Sequence, residues 1–196
     1  MTRMISGAFH GAIAATTPTG SRAITAAPRP SVGFAGSNTQ KYARDSGEAL
    51  YRRSLYTVWK RTAPMPNMIA FDAGSREVCI ARRQATNTPL QALVLLNDPQ
   101  FVEAARIIGE RILKEGGKTP EEQIRFAFRL LTTREPTPQE TTLLVQLYQE
   151  QLQAFTQNPA EAKRLLTVGE RTADASLPPI DTAVAFVLAQ TVLNLD

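Results

Sequence analysis

Apolar residues recur along this chain at helical spacing, and short polar clusters led by proline separate the runs. Side chains three and four positions apart share a helix face, so each run predicts one helix. The most apolar run is Leu90, Ala92, Leu93, Val94, Leu95 and Leu96. Thr88 precedes it where an N-cap side chain accepts from free amides, and Pro89 stands at the first helical position. Apolar residues fall around nearly the whole circumference, so this helix is expected to be buried on all sides. Asn97-Asp98-Pro99 stops it, because proline cannot continue the hydrogen-bond ladder, and Asp98 caps a second helix. That helix carries one stripe: Phe101, Ala104, Ala105, Ile108 and Ile112. The stretch Phe71 to Arg106 therefore joins a polar, arginine-rich prelude to the most apolar part of the chain.

The same punctuation recurs downstream. Thr119-Pro120-Glu121-Glu122 and Thr137-Pro138-Gln139-Glu140 are capping boxes with proline at the first helical position. The first opens a helix with Ile124, Ala127, Phe128 and Leu131 on one face. The second opens a long helix expected to turn Leu143, Leu144, Leu147, Leu152 and Phe155 inward. Asn158-Pro159-Ala160-Glu161 starts a shorter helix through Leu165 and Leu166. After Pro178-Pro179, a helix from about Ile180 carries Val184, Val187, Leu188, Thr191, Val192 and Leu195. The helices differ in length and pattern, so the boxes are not an internal repeat. Upstream, Asp45 or Ser46 can cap a helix through Leu50, Tyr51, Leu55, Tyr56 and Trp59, ended by Ala63-Pro64-Met65-Pro66. Asn67 to Ala85 reads as a long polar loop with one short strand at Val78-Cys79-Ile80. Residues 1–40 are rich in Ala, Gly, Ser, Thr and Pro without a sustained period. The fold class is all-α: an irregular domain of five to seven helices over residues 41–196, with one long polar loop, behind a disordered tail at 1–40.

Charge divides the chain along the same line. The net charge is +4, but residues 1–61 hold nine basic and two acidic side chains, and residues 62–196 hold thirteen and sixteen. The basic excess thus belongs to the N-terminal third. Arg52, Arg53, Lys60 and Arg61 alternate with Tyr56 and Trp59, a basic-aromatic pattern able to stack and hold single-stranded nucleic acid. Tyr51, Leu55 and Trp59 also fall at i, i+4 and i+8, the spacing of an amphipathic helix whose aromatics pack inward and whose arginines reach water. The helical reading is preferred. Met4 to Ala15 makes a poor signal-peptide core, since Ser6, Gly7, His10 and Gly11 interrupt it. A misplaced start, or a piece of a longer protein, accounts for residues 1–40 better. No apolar run approaches the ~20 residues that span a bilayer.

Several chemistries are excluded by residue count. His10 is the only histidine and Cys79 the only cysteine. Histidine-based triads, histidine or cysteine metal sites and a haem-attachment motif therefore cannot be built. There is no glycine-rich phosphate loop, and no cofactor is expected. Cys79 sits in an apolar run and is expected to be a buried, inert thiol. One polar constellation remains. Asp72, Arg76, Glu77, Arg82 and Arg83 precede Asn87, Thr88 and Gln91 at a helix start, where free amides favour an anion. They form a candidate polar or anion-binding site. Asp72 and Glu77 also form a formal carboxylate pair for glycoside chemistry. The competing reading makes the same side chains cross-links between an irregular loop and the core.

The segments 52–61 (RRSLYTVWKR), Phe71-Asp72-Ala73, Arg76-Glu77-Val78-Cys79, Arg82-Arg83, 87–93 (NTPLQAL), 96–106 (LNDPQFVEAAR), Arg134-Glu135-Pro136 and Leu193-Asn194-Leu195-Asp196 carry a resemblance. Over about Lys41 to Asp196 the chain resembles the C-terminal part of the planctomycete-type domain of unknown function, family fifteen fifty-three, the cytochrome-c-associated "PSD-one" domain. The resemblance implies a portion of a large exported bacterial protein, periplasmic or at the cell surface, paired with other domains in cytochrome-c or polysaccharide systems. It brings no catalytic residues. The expected function is a non-catalytic structural or interaction module whose partner is the remainder of a larger protein, with polysaccharide a further candidate. The alternatives are a fragment of a glycan-acting enzyme using Asp72, Glu77 and the arginines, and nucleic-acid binding through residues 41–61.

Overall fold

The structure is a computed structural model; it describes residues 29–30, 42–43, 51, 66–74, 79, 81–82 and 86–195. Among these are seven helices: α1 (Pro66–Ala70), α2 (Pro89–Asn97), α3 (Pro99–Glu115), α4 (Pro120–Thr132), α5 (Pro138–Gln157), α6 (Pro159–Leu166) and α7 (Pro179–Leu193). The fold is all-α. A two-residue antiparallel pairing joins β1 (Arg29–Pro30) to β2 (Tyr42–Ala43), with Arg29 opposite Ala43 and Pro30 opposite Tyr42. The rest of the expected tail, the expected helix of residues 45–59 apart from Tyr51, and the flanks of the expected 78–80 strand lie outside the described residues.

All seven helices begin with proline. The first helical residue needs no intrahelical N–H partner, so proline costs nothing there and presets φ. In four of them the residue before it does the capping. Thr88, Thr119 and Thr137 each accept from the backbone three residues on, and Gln91, Glu122 and Glu140 reach back to the cap amide. Asp98 accepts from Gln100 N at 2.9 Å. Asn158 makes no side-chain cap, so α6 relies on proline and packing.

α7 is the centre of the molecule. It packs along α3 over the longest contact, and against α4, α5 and α6 as well. Thr182 to Phe186, Leu188, Ala189, Val192 and Leu193 are all buried. The main core joins Val102, Ala104, Ala105, Ile108 and Ile112 of α3 to Ile124, Ala127, Phe128 and Leu131 of α4, Leu144 of α5 and the far half of α7. A smaller cluster of Phe155, Ala162, Ala183 and Val184 closes α5, α6 and the start of α7. Each fully buried Ile, Leu or Phe contributes about 1.5–3 kcal/mol relative to exposure. Where α3 crosses α7 the helices touch at Gly109: a Cβ there would lie 2.7 Å from Phe186 N and 2.9 Å from the Ala185 carbonyl carbon.

Three expectations are corrected. The Pro89 helix is not buried on all sides: Leu90, Leu93 and Leu96 are 57, 56 and 45% exposed, and only Gln91 and Leu95 are buried. α2 lies at the edge, against α1, α3 and one corner of α7. An apolar circumference permits full burial, but position in the bundle decides it, and α7 holds that position. On α5, Leu144 and Phe155 are buried, but Leu143 and Leu152 are exposed. Leu143 is turned about 100° from Leu144, and the face that meets α4, α6 and α7 is too narrow to include it. Cys79 is exposed rather than a core thiol: an apolar neighbourhood in sequence does not by itself place a side chain in the core, and Cys79 is in neither core cluster.

Candidate functional site

Asp72 ends α1 in a Schellman motif. Ala73 N donates to Met68 O at 2.9 Å and Asp72 N to Ile69 O at 3.0 Å, with Asp72 left-handed at φ 58°. Glycine usually takes this position; aspartate tolerates it and here brings a carboxylate. That carboxylate accepts from Thr86 N at 2.7 Å, from Thr86 Oγ1 at 2.8 and 2.9 Å, and from Gln91 Nε2 at 3.4 Å. Gln91 Nε2 also donates to Thr86 Oγ1 at 3.1 Å, while Gln91 closes the capping box with Thr88. The Thr86 amide, then its hydroxyl, hold the Asp72 carboxyl below its ordinary range.

Asp72, Thr88 and Gln91 of the sequence-derived site therefore do come together, with Thr86 between them. The result is a clasp fixing the end of α1 to the start of α2. Asn87 and Arg82 are exposed. Arg76, Glu77 and Arg83 lie outside the described residues, as do Arg52, Arg53, Tyr56, Trp59, Lys60 and Arg61 of the basic-aromatic face. Among the described residues no cluster of His, Cys, Asp and Glu suits a metal ion, and no helix is long and apolar enough to cross a membrane.

A second polar centre was missed by sequence reasoning. Glu103, Arg106 and Glu110 lie at i, i+3 and i+7 on α3, away from its apolar stripe, and all three are buried. The loop 168–176 covers them. Glu103 accepts from Glu170 N at 2.8 Å, Arg171 N at 3.3 Å and the Tyr51 hydroxyl at 2.7 Å. Arg106, 1% exposed, pairs with Glu110 at 2.7 Å and donates to Arg171 O at 2.5 Å. Glu110 accepts from Asp174 N at 3.3 Å, and Lys114 pairs with the Asp174 carboxylate. Gly169, at φ +104°, lets the loop close over Glu103, whose Oε2 would lie 2.4 Å from any Cβ there. Burial first, then the Glu103 carboxylate, push the Tyr51 phenol well above its ordinary range. Lys114, then Ser176, hold the Asp174 carboxyl well below its own. The signal was legible as charged residues at helical spacing, but not the loop some sixty residues away that makes them interior.

A shallow groove of about 350 Å³ opens on the outer side of this loop, lined by Lys163, Thr167, Glu170, Arg171, Thr172 and Pro179 among others. Neither polar centre faces it with a free carboxylate: Glu103 and Glu110 are turned inward onto backbone amides.

These features define an all-α module whose described buried carboxylates serve as structural acceptors. The chain belongs to the PSD1 family, described as a protein of unknown function (DUF1553), whose sequence model matches residues 10–148 and so takes in the whole Phe71 to Arg106 stretch. No curated protein and no solved structure matches the chain.

Proposed function

We propose that this chain is a non-catalytic structural module of a larger exported bacterial protein, its main partner being the remainder of that protein. The observation that supports this reading is the state of Asp72. A general acid or nucleophile needs a lone pair or proton free to meet substrate. The Asp72 carboxylate instead takes an amide, a hydroxyl and a carboxamide from its own chain. Such donors hold it ionised and in place, which suits a tie between two helices and not proton transfer.

The test compares Asp72→Asn with the native chain on a panel of soluble polysaccharides. The expected result is no hydrolysis by either protein, and a lower melting temperature for the variant. Hydrolysis by the native chain that disappears in a variant of unchanged melting temperature would refute the structural reading and establish the glycan-acting alternative.

A further inference from the structure

We propose that loop 168–176 is a strap that latches onto α3 and lifts as one piece, with the Tyr51 hydroxyl as the catch that keeps it down. Glu170 N and Arg171 N donate to Glu103 at 2.8 and 3.3 Å, and Asp174 N donates to Glu110 at 3.3 Å. Lys114, one turn further along α3, pairs with the Asp174 carboxylate. From Glu103 to Glu110 is an advance of about 10 Å along the helix, and the four residue steps from Glu170 to Asp174 span at most about 14 Å. Residues 170–174 therefore run lengthwise along α3, and its carboxylates hold three of their amides.

The two ends of the strap are anchored by other means. Val168 packs against the main core, and Pro179 starts α7. Gly169, at φ +104°, stands just inside the first anchor, where its backbone freedom suits a hinge. Between the anchors the strap meets α3 through side-chain ties to its backbone, which include Arg106 donating to Arg171 O at 2.5 Å. A loop held by a few such bonds opens at a lower cost than the whole fold.

Tyr51 acts through the first tie. Its hydroxyl donates at 2.7 Å to Glu103 Oε1, the same oxygen that accepts from Arg171 N. Burial and then the Glu103 carboxylate keep the phenol proton in place. Without that hydroxyl, a carboxylate that is only 4% exposed lacks one of its donors. Water is the replacement, and water reaches Glu103 when the strap lifts. Residues 169–173 of the strap also wall the outer groove. Whatever draws Tyr51 off Glu103 therefore reshapes that groove without touching it, by biasing one element between a latched and a lifted state.

Amide hydrogen exchange of the full chain, read residue by residue by NMR, tests this in Tyr51→Phe. The amides of Glu170, Arg171 and Asp174 are expected to exchange about tenfold faster than in the native chain, or more, as befits the loss of a hydrogen bond to a charged group. The amides of Phe128 and Leu131, inside α4, are expected to keep their rates. Lys114→Met, which cuts the far tie, is expected to speed the same three strap amides. Tyr148→Phe, which removes a half-buried phenol hydroxyl from α5, is expected to change none of them. Native rates at Glu170 and Arg171 in Tyr51→Phe overturn the catch. Acceleration confined to the amides next to each mutated tie overturns the strap, because the ties then act separately. Acceleration that includes Phe128 and Leu131 overturns the proposal too, by assigning the hydroxyl to the stability of the whole fold.

Discussion

Gly109→Ala sets two well-measured effects against each other, and the structure decides the sign. In a helix exposed to water, alanine is more stable than glycine by about 0.8–1.0 kcal/mol. At Gly109 the new methyl would meet backbone, not a movable side chain: Phe186 N at 2.7 Å, the Ala185 carbonyl carbon at 2.9 Å and Phe186 Cα at 3.0 Å. Ordinary contact begins near 3.4 Å, so α7 has to retreat by about 0.7 Å. A gap of ~0.5–1 Å forfeits a quarter to a half of each dispersion contact across it. Ala185, Phe186 and Ala189 are all buried along this seam, and α4, α5 and α6 also pack on α7 and resist the shift. Overpacking of this kind costs about 1–3 kcal/mol, and a backbone-to-backbone clash belongs at the upper end. After the propensity gain, a net loss of about 2 kcal/mol remains, or about 4–8 °C in melting temperature for a chain of this size. Urea unfolding followed by far-ultraviolet dichroism should show a lower midpoint at unchanged slope. A variant as stable as the native chain, or more stable, would refute the close α3–α7 crossing.

Other consequences follow from single contacts. The Glu140 carboxyl is drawn down from 4.5 to about 2 by the Arg134 guanidinium first and the Thr137 amide second. Its contribution is therefore complete above pH 4.5 and lost as pH falls toward 2; Glu140→Gln should flatten melting temperature against pH in that window. Arg106→Met strands the buried Glu110 carboxylate and should cost about 3–5 kcal/mol in urea unfolding, whereas Arg106→Met with Glu110→Leu should recover much of the loss. Thr119→Ala, which removes a working cap, should cost about 1 kcal/mol, while Asn158→Ala should change stability by less than about 0.5 kcal/mol, since Asn158 accepts nothing at its helix start.

The helix starts were the most legible part of the fold, because capping is local. Thr119 and Glu122, or Thr137 and Glu140, satisfy each other within four residues whatever surrounds them. Burial was less legible, because it is settled by neighbours far away in sequence. α2 and α7 are both apolar around their circumference, yet α7 lies at the centre and α2 at the rim. Leu143 and Leu144 differ by one step of rotation and by complete reversal of environment. The candidate site was legible in part for the same reason. Thr88 and Gln91 form a local box, and Asp72 completes it through the turn that ends α1. Glu103, Arg106 and Glu110 were not singled out from the sequence, since nothing within a helical turn of them announces the loop at 168–176.

The central place of α7 sets an order of events during synthesis. A ribosome synthesises α3, α4, α5 and α6 before residues 179–193 exist. Until that last helix emerges, the stripe from Ala104 to Ile112 has no partner along most of its length, since its longest contact is with α7. The nascent chain must therefore carry its future core uncovered for roughly seventy residues of elongation, several seconds at ~5–20 residues per second. Holding factors that recognise short apolar helices would find their target in α3 during that interval, and would lose it when α7 docks.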